Sequence, residues 1–199
     1  PLPGYPDAYF VEDTAIVTPE MAVITRPGAR QRQGEAPSVA SVLADHRPLK
    51  TIQAPGTLDG GDVLIVSDHV FIGLSHRTNR QGADQLARIL EPYGYRFTRV
   101  AVTDGLHLKT SVNSIGDGCL LIIDTWAERP EFAGYRKFSV PMEEAHACNT
   151  LSINGHLIMP AGYPRTQALL ETTGRPLATL DTRPMRRMDG GLTCLSLRF

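Results

Sequence analysis

The chain has 199 residues, of which 42% are apolar, enough to bury one sizeable core. Its 20 basic and 21 acidic residues leave a net charge of −1, which excludes the broad basic footprint of a nucleic-acid or acidic-membrane binder. No stretch approaches the roughly 20 consecutive apolar residues of a membrane-spanning helix.

The three cysteines, Cys119, Cys148 and Cys194, are odd in number and widely spaced, with no Cys-x-x-Cys pair. This is neither a disulfide framework nor the ligand spacing of a structural zinc site. Reduced thiols and a cytoplasmic location are expected. The chain opens Pro1-Leu2-Pro3, without a methionine.

Taken in order, the predicted elements repeat. Thr14 to Val17 and Ala22 to Thr25 flank Pro19-Glu20 as a first hairpin. Asp62 to Val66 and Val70 to Gly73 flank Ser67-Asp68 as a second. Ser111 to Ile115 and Cys119 to Ile123 flank Gly116-Asp117-Gly118 as a third. Asn149 to Ile153 and His156 to Met159 flank Asn154-Gly155, the strongest short hairpin signal, as a fourth. Helices are predicted at 35–45, at 82–91 with Ala83, Leu86, Ala87 and Leu90 on one face, and at 165–173. Lone strands follow at Lys50–Gln53, Tyr95–Val102 and Leu177–Leu180, and a last strand is expected from Leu192 to Phe199.

The unit is strand-strand-helix-strand, repeated four times; radial closure of such units into a propeller is one solution, and an open α+β sandwich with no missing part is the other. The last strand has no partner element after it. About one unit is therefore expected to be missing on the N-terminal side of a single catalytic domain covering 1–199.

Four places carry polar chemistry at the repeat boundaries. Asp7 and Glu12-Asp13 precede the first hairpin. Two adjacent carboxylates at a strand entry are either a solvated turn or a buried pair that needs a cation. Asp59-Gly60-Gly61-Asp62 is either a tight turn or a close backbone approach. His107 stands between two leucines, as a core histidine or a catalytic base would. Cys194 follows a second Asp-Gly-Gly, at Asp189-Gly190-Gly191, and is inert packing or a nucleophile. Cys119 and Cys148 read as core residues of hairpin strands. Taken together, a thiol, an imidazole, an orienting carboxylate and an acidic pair form an inventory for attack on a guanidinium carbon. Arg30, Arg32 and Arg77 are loop cations or carboxylate forks.

These segments resemble the dimethylarginine dimethylaminohydrolases of the guanidino-group-modifying superfamily. The resemblance runs through Phe10-Val11-Glu12-Asp13-Thr14-Ala15, Ile24 to Ala29, Gly56 to Val63, Gly73 to Asn79, Leu106 to Lys109 and Asp189 to Ser196. It implies a five-bladed α/β propeller (the pentein fold) of ββαβ units. It further implies Cys194 as nucleophile, His107 as general acid/base and Asp59 as its orienting carboxylate. Glu12 and Asp13 are implied to bind the guanidinium, Asp7 the α-amino group, and Arg32 and Arg77 the rest of the amino-acid end. The expected reaction releases citrulline from a methylated arginine through a covalent thiouronium, with no cofactor and no metal. The expected partner is that small molecule, with neither nucleic acid nor membrane, on a chain that could form a homodimer. The rivals are an arginine deiminase or amidinotransferase of the same superfamily, and a non-catalytic binding protein on the same propeller.

Overall fold

In the computed structural model, residues 2–103 and 105–199 are described. Among them the repeat is present as four three-stranded sheets. The first sheet has β1 (Ala15–Val17), β2 (Ala22–Ile24) and β3 (Leu49–Thr51), in that order. The second has β4 (Val63–Val66), β5 (His69–Leu74) and β6 (Arg96–Ala101). The third has β7 (Val112–Gly116), β8 (Cys119–Ile123) and β9 (Arg136–Val140). The fourth has β10 (Leu151–Ile153), β11 (His156–Pro160) and β12 (Leu177–Leu180).

In every sheet the third strand pairs parallel to the second. A parallel return needs a crossover, and a helix commonly supplies it. Here α1 (Ala36–Leu43), α2 (Arg80–Leu90) and α3 (Pro164–Glu171) do so in the first, second and fourth sheets. The turn at Asn154-Gly155 has positive φ at both residues, as an Asn-Gly hairpin requires.

The third unit departs from the expected helix. Its crossover is made of two 3-10 turns, Asp124–Trp126 and Pro130–Phe132. Pro130 breaks any helix through the segment. Trp126 and Phe132 are buried and their rings stack at 6.4 Å, while Arg129 lies 4.2 Å over the indole. The unit thus buries two aromatics where its neighbours bury a helical stripe. Strand β9 is the return strand that the repeat requires of this unit, at residues where the sequence reading names none.

The expected strand at Leu192–Phe199 is also absent. Thr193–Leu195 is a 3-10 turn and the residues after it form no strand. The Thr193 amide is taken by Asn149 Oδ1 at 2.9 Å, so it is withdrawn from any sheet ladder. Two cysteines differ from expectation as well. Cys148 ends a 3-10 segment rather than lying in a strand, and Cys119 is half-exposed at the start of β8. Cys148 is fully buried, its thiol donates to the Leu121 carbonyl, and burial pushes its pKa far up. That thiol is inert.

Packing divides the chain into two compact units. One comprises residues 1–63, 68–108 and 194–199; the other comprises 64–67 and 109–193. In the first, Ala15, Ala22, Ile24, Ala36 and Leu43 form a core cluster under α1, and Leu197 packs against it. Helix α2 adds Ala83, Leu86 and Leu90, each with no exposed surface. It begins two residues before the predicted start because Asn79 caps it, accepting the Gly82 amide at 2.8 Å.

Candidate active site

All eight residues singled out for chemistry belong to the first compact unit: Asp7, Glu12, Asp13, Arg32, Asp59, Arg77, His107 and Cys194. Their backbone positions follow from short 3-10 turns at the strand entries. Val11–Thr14 leads into β1 and Gly60–Asp62 leads into β4.

Asp59 is the hub. It has no exposed surface. Its Oδ1 accepts from the Gly28 amide at 2.8 Å, and its Oδ2 faces His107 Nε2 at 3.0 Å and Arg77 Nη1 at 3.8 Å. Its own amide donates to Thr78 Oγ1 at 3.1 Å. A carboxylate so held cannot rotate away from the imidazole.

Gly60 and Gly61 explain the glycine pair. Neither has a positive φ, so the pair is not a left-handed turn. A Cβ on Gly60 would fall 1.9 Å from the Glu12 carbonyl, and one on Gly61 would fall 2.6 Å from His107 Nδ1. Close approach is the reason for both glycines.

His107 is buried, which by itself would lower its pKa. The carboxylates of Asp13, Asp59 and Asp62 outweigh that cost and raise it to about 9. The ring is an imidazolium at neutral pH. Asp13 is pulled the other way: burial would raise it, but His107, Arg32 and the Gly61 amide hold it below the usual carboxylate range. Asp13 Oδ1 accepts from Gly61 N at 2.9 Å and lies 3.9 Å from His107 Nε2.

The acidic pair is therefore buried and not a solvated turn, with Glu12 7% and Asp13 3% exposed. The cation that Asp13 needs is internal. Arg32 Nη1 reaches Asp13 Oδ2 at 2.5 Å. Its Nε and Nη2 bond Glu35, and Nη2 also bonds the Phe10 carbonyl at 3.0 Å and the Asp7 carbonyl at 3.3 Å. The guanidinium implied to hold the substrate's amino-acid end is thus already committed to the protein's own acids. Arg77 is different: half-buried, with one ion pair to Asp59 at 3.8 Å. Asp7 is half-buried. Cys194 is partly exposed in its 3-10 turn.

One atom each from Asp13, Asp59 and His107 lie within 4.8 Å of one another, so these three could hold a divalent cation. In this structure their shared charge is balanced by Arg32 and by the imidazolium.

Sequence reasoning missed several supporting residues. Gly28 and Thr78 fix Asp59. Glu35 fixes Arg32. In the second unit, Asn149 holds Thr193, the residue before Cys194, through its amide at 2.9 Å and its hydroxyl at 3.2 Å. Gly191 leaves room for that asparagine: a Cβ there would fall 2.3 Å from the Asn149 side chain. The Gly-Gly echo before Cys194 was the available signal.

A family model described as arginine deiminase matches residues 2–113. The N(G),N(G)-dimethylarginine dimethylaminohydrolase of Pseudomonas aeruginosa is 41% identical over 197 residues, which cover 98% of this chain and 78% of that protein. The chain belongs to the dimethylarginine dimethylaminohydrolase family. Two solved structures agree. One is the P. aeruginosa enzyme as a cysteine-to-serine mutant complexed with citrulline, with a TM-score of 0.97 and 39% identity over 100% of this chain and 79% of that one. The other is a histidine-to-glycine variant in adduct with S-methyl-L-thiocitrulline, with the same TM-score, identity and coverage. The fold class is that of the family, the α/β propeller of ββαβ units expected from the repeats.

Proposed function

We propose that the chain hydrolyses Nω-methylated arginines, both asymmetric dimethylarginine and monomethylarginine, to citrulline and the corresponding amine. The observation that carries this reading is the buried Asp59–His107–Asp13 cluster in the same compact unit as Cys194. The citrulline-bound family structure supports it from outside.

The substrate is a cation, and Glu12 and Asp13 give it an acidic seat. The Cys194 thiolate attacks the guanidinium carbon, and the imidazolium of His107 favours that thiolate. His107 enters as the protonated form, ready to pass a proton to the departing dimethylamine, a poor leaving group as an anion. The C–N bond breaks and a thiouronium on Cys194 remains. The now neutral His107 takes a proton from water, which attacks the thiouronium carbon. Carbon–sulfur cleavage releases citrulline and returns the thiolate. Asp59 keeps the ring in place and stabilises its charged form through both steps.

At the amino-acid end, Asp7 meets the α-amino group and Arg77 meets the carboxylate. Arg32 acts on this end through the Phe10 and Asp7 carbonyls it ties down, and on the guanidinium end through Asp13. No helix among the described residues is long and apolar enough to cross a membrane, and a cytoplasmic location is part of this reading.

The test is citrulline release from asymmetric dimethylarginine, with arginine and Cys194→Ser alongside. Turnover of the methylated substrate, little of arginine and none by the serine variant is expected. Equal or faster arginine turnover would move the assignment to a deiminase, the reading favoured by the family model over residues 2–113.

A further inference from the structure

Asp62 is a buried carboxylate to which the proposed chemistry gives no part beyond its charge beside His107. It has no exposed surface and closes the Asp59-Gly60-Gly61-Asp62 segment. Its two oxygens have different partners. Oδ1 accepts from the amide of Leu108, the residue after His107, at 2.9 Å. Oδ2 accepts from the Ser75 hydroxyl at 2.6 Å.

Ser75 extends the second arm. With its proton committed to Asp62, its oxygen accepts from the amides of Arg77 at 3.0 Å and Thr78 at 3.2 Å. Thr78 in turn takes the Asp59 amide on its own hydroxyl. The joint is built tightly. A Cβ on Gly73 would fall 2.7 Å from Asp62 Oδ1 and 2.9 Å from Leu108 Cβ. Only glycine leaves the carboxylate where it is.

We infer that Asp62 is a positioning residue with two separable arms, one oxygen setting the His107 segment and the other, through Ser75, setting the Arg77–Thr78 loop. One buried side chain thereby sets the distance between the acid/base and the clamp for the substrate carboxylate. The functional half of this inference rests on the roles proposed above for His107 and Arg77.

The arms respond differently to substitution. Asn at position 62 keeps an acceptor for Leu108 but presents an NH₂ to Ser75, which cannot accept the hydroxyl proton. Ala at position 62 removes both arms. Ala at position 75 removes only the Ser75 link of the second, to which the Thr78 hydroxyl also contributes.

The experiment pairs amide spectra with kinetics on the full chain. In ¹⁵N-labelled protein, Asp62→Asn and Ser75→Ala shift the Arg77 and Thr78 amides and leave Leu108 in place, whereas Asp62→Ala shifts all three. With asymmetric dimethylarginine, Ser75→Ala raises KM by about tenfold with kcat held within about twofold, and Asp62→Asn raises KM as much while the lost charge beside His107 also shifts the alkaline limb of kcat to lower pH. Asp62→Ala lowers kcat as well. The Asp62→Asn, Ser75→Ala double variant raises KM no further than Asp62→Asn alone, because both cut the same arm. Additive losses in the double variant, or an Asp62→Asn spectrum in which Leu108 moves as far as Arg77, would overturn the inference. If the wild-type chain releases no citrulline, the hydrolase reading fails, and the amide pattern still decides between two arms and one. If Asp62→Ala does not fold, the asparagine and serine-site variants carry the test.

Discussion

His107 and Asp59 are locked together: Nε2 meets Oδ2 at 3.0 Å, with both side chains almost wholly withdrawn from solvent. Burial alone would discharge the imidazole, yet three neighbouring carboxylates raise its pKa to about 9. The protein holds a buried cation here because anions already there require one. This ties the stability of the fold to the protonation of its acid/base.

The sign of that linkage is fixed. An unfolded histidine titrates near 6.5. The folded group binds its proton more tightly, so its stabilisation is complete below about pH 6.5 and is lost as pH rises through about 9. The shift corresponds to on the order of 3 kcal/mol. Urea midpoints of the wild type and His107→Gln, followed from pH 6 to 10, should start well apart and converge. A gap that stays constant across this window would mean that the proton is not on His107.

Gly28 makes a sharper steric prediction. Its amide holds Asp59, and a Cβ there would fall 2.2 Å from the Arg77 carbonyl oxygen and 2.5 Å from Arg77 Cα. Backbone cannot yield as a side-chain tip can. Gly28→Ala should push the Arg77 loop away from Asp59 and cost at least tenfold in kcat/KM, with overpacking of about 1–3 kcal/mol in stability. Gly134→Ala, where a Cβ meets nothing within 4 Å, is the matched control and should leave kcat/KM unchanged.

The contrast between these glycines shows where the sequence is legible. Asn154-Gly155 reads directly, because only a few residue types adopt two successive left-handed conformations. The paired apolar strands and three of the four return strands read for a similar reason: each is a local pattern with a local cause. Gly60-Gly61 is ambiguous from sequence, since a tight bend and a close approach both demand glycine. The structure decides for close approach to Glu12 and His107. The partner of Arg32 could not be read. Nothing local says that an arginine in a polar loop will turn inward to Asp13, 19 positions earlier. The terminal strand fails on the same ground, because Asn149 captures the Thr193 amide from 44 positions away. Long-range polar contacts leave no periodicity behind.

The inward turn of Arg32 has its own consequence. Its planar fork bridges Asp13 and Glu35, which are 3% and 1% exposed. A lysine supplies one compact charge and cannot bond both acids and the Phe10 carbonyl together. Arg32→Lys should lose about 3 kcal/mol, because it leaves a buried carboxylate under-compensated. It should also raise KM through the loosened Asp13. Denaturant titration and substrate kinetics on one preparation measure both. A stability change within about 0.5 kcal/mol would show that the bridge contributes little to the fold.

In the second compact unit, Glu144 caps α3 from outside the helix. Tyr163 precedes the helix and offers no side-chain cap. Instead Glu144 Oε1 accepts from the Arg165 amide at 3.1 Å, and Oε2 accepts from the Thr166 amide and hydroxyl, each at 2.7 Å. Burial works to raise the pKa of this carboxyl, but the Thr166 hydroxyl and the two first-turn amides outweigh it and lower it. A group depressed in the folded state stabilises above its unfolded pKa, near 4.3, and that contribution is lost as pH falls through the lower folded value. Glu144→Gln should therefore cost about 1–2 kcal/mol at pH 7, and the gap to wild type should close in acid. Thermal denaturation at pH 7 and pH 3 tests both parts. A gap that persists unchanged at pH 3 would assign the loss to the amide NH₂ facing the Arg165 and Thr166 donors and not to the charge of the carboxylate cap.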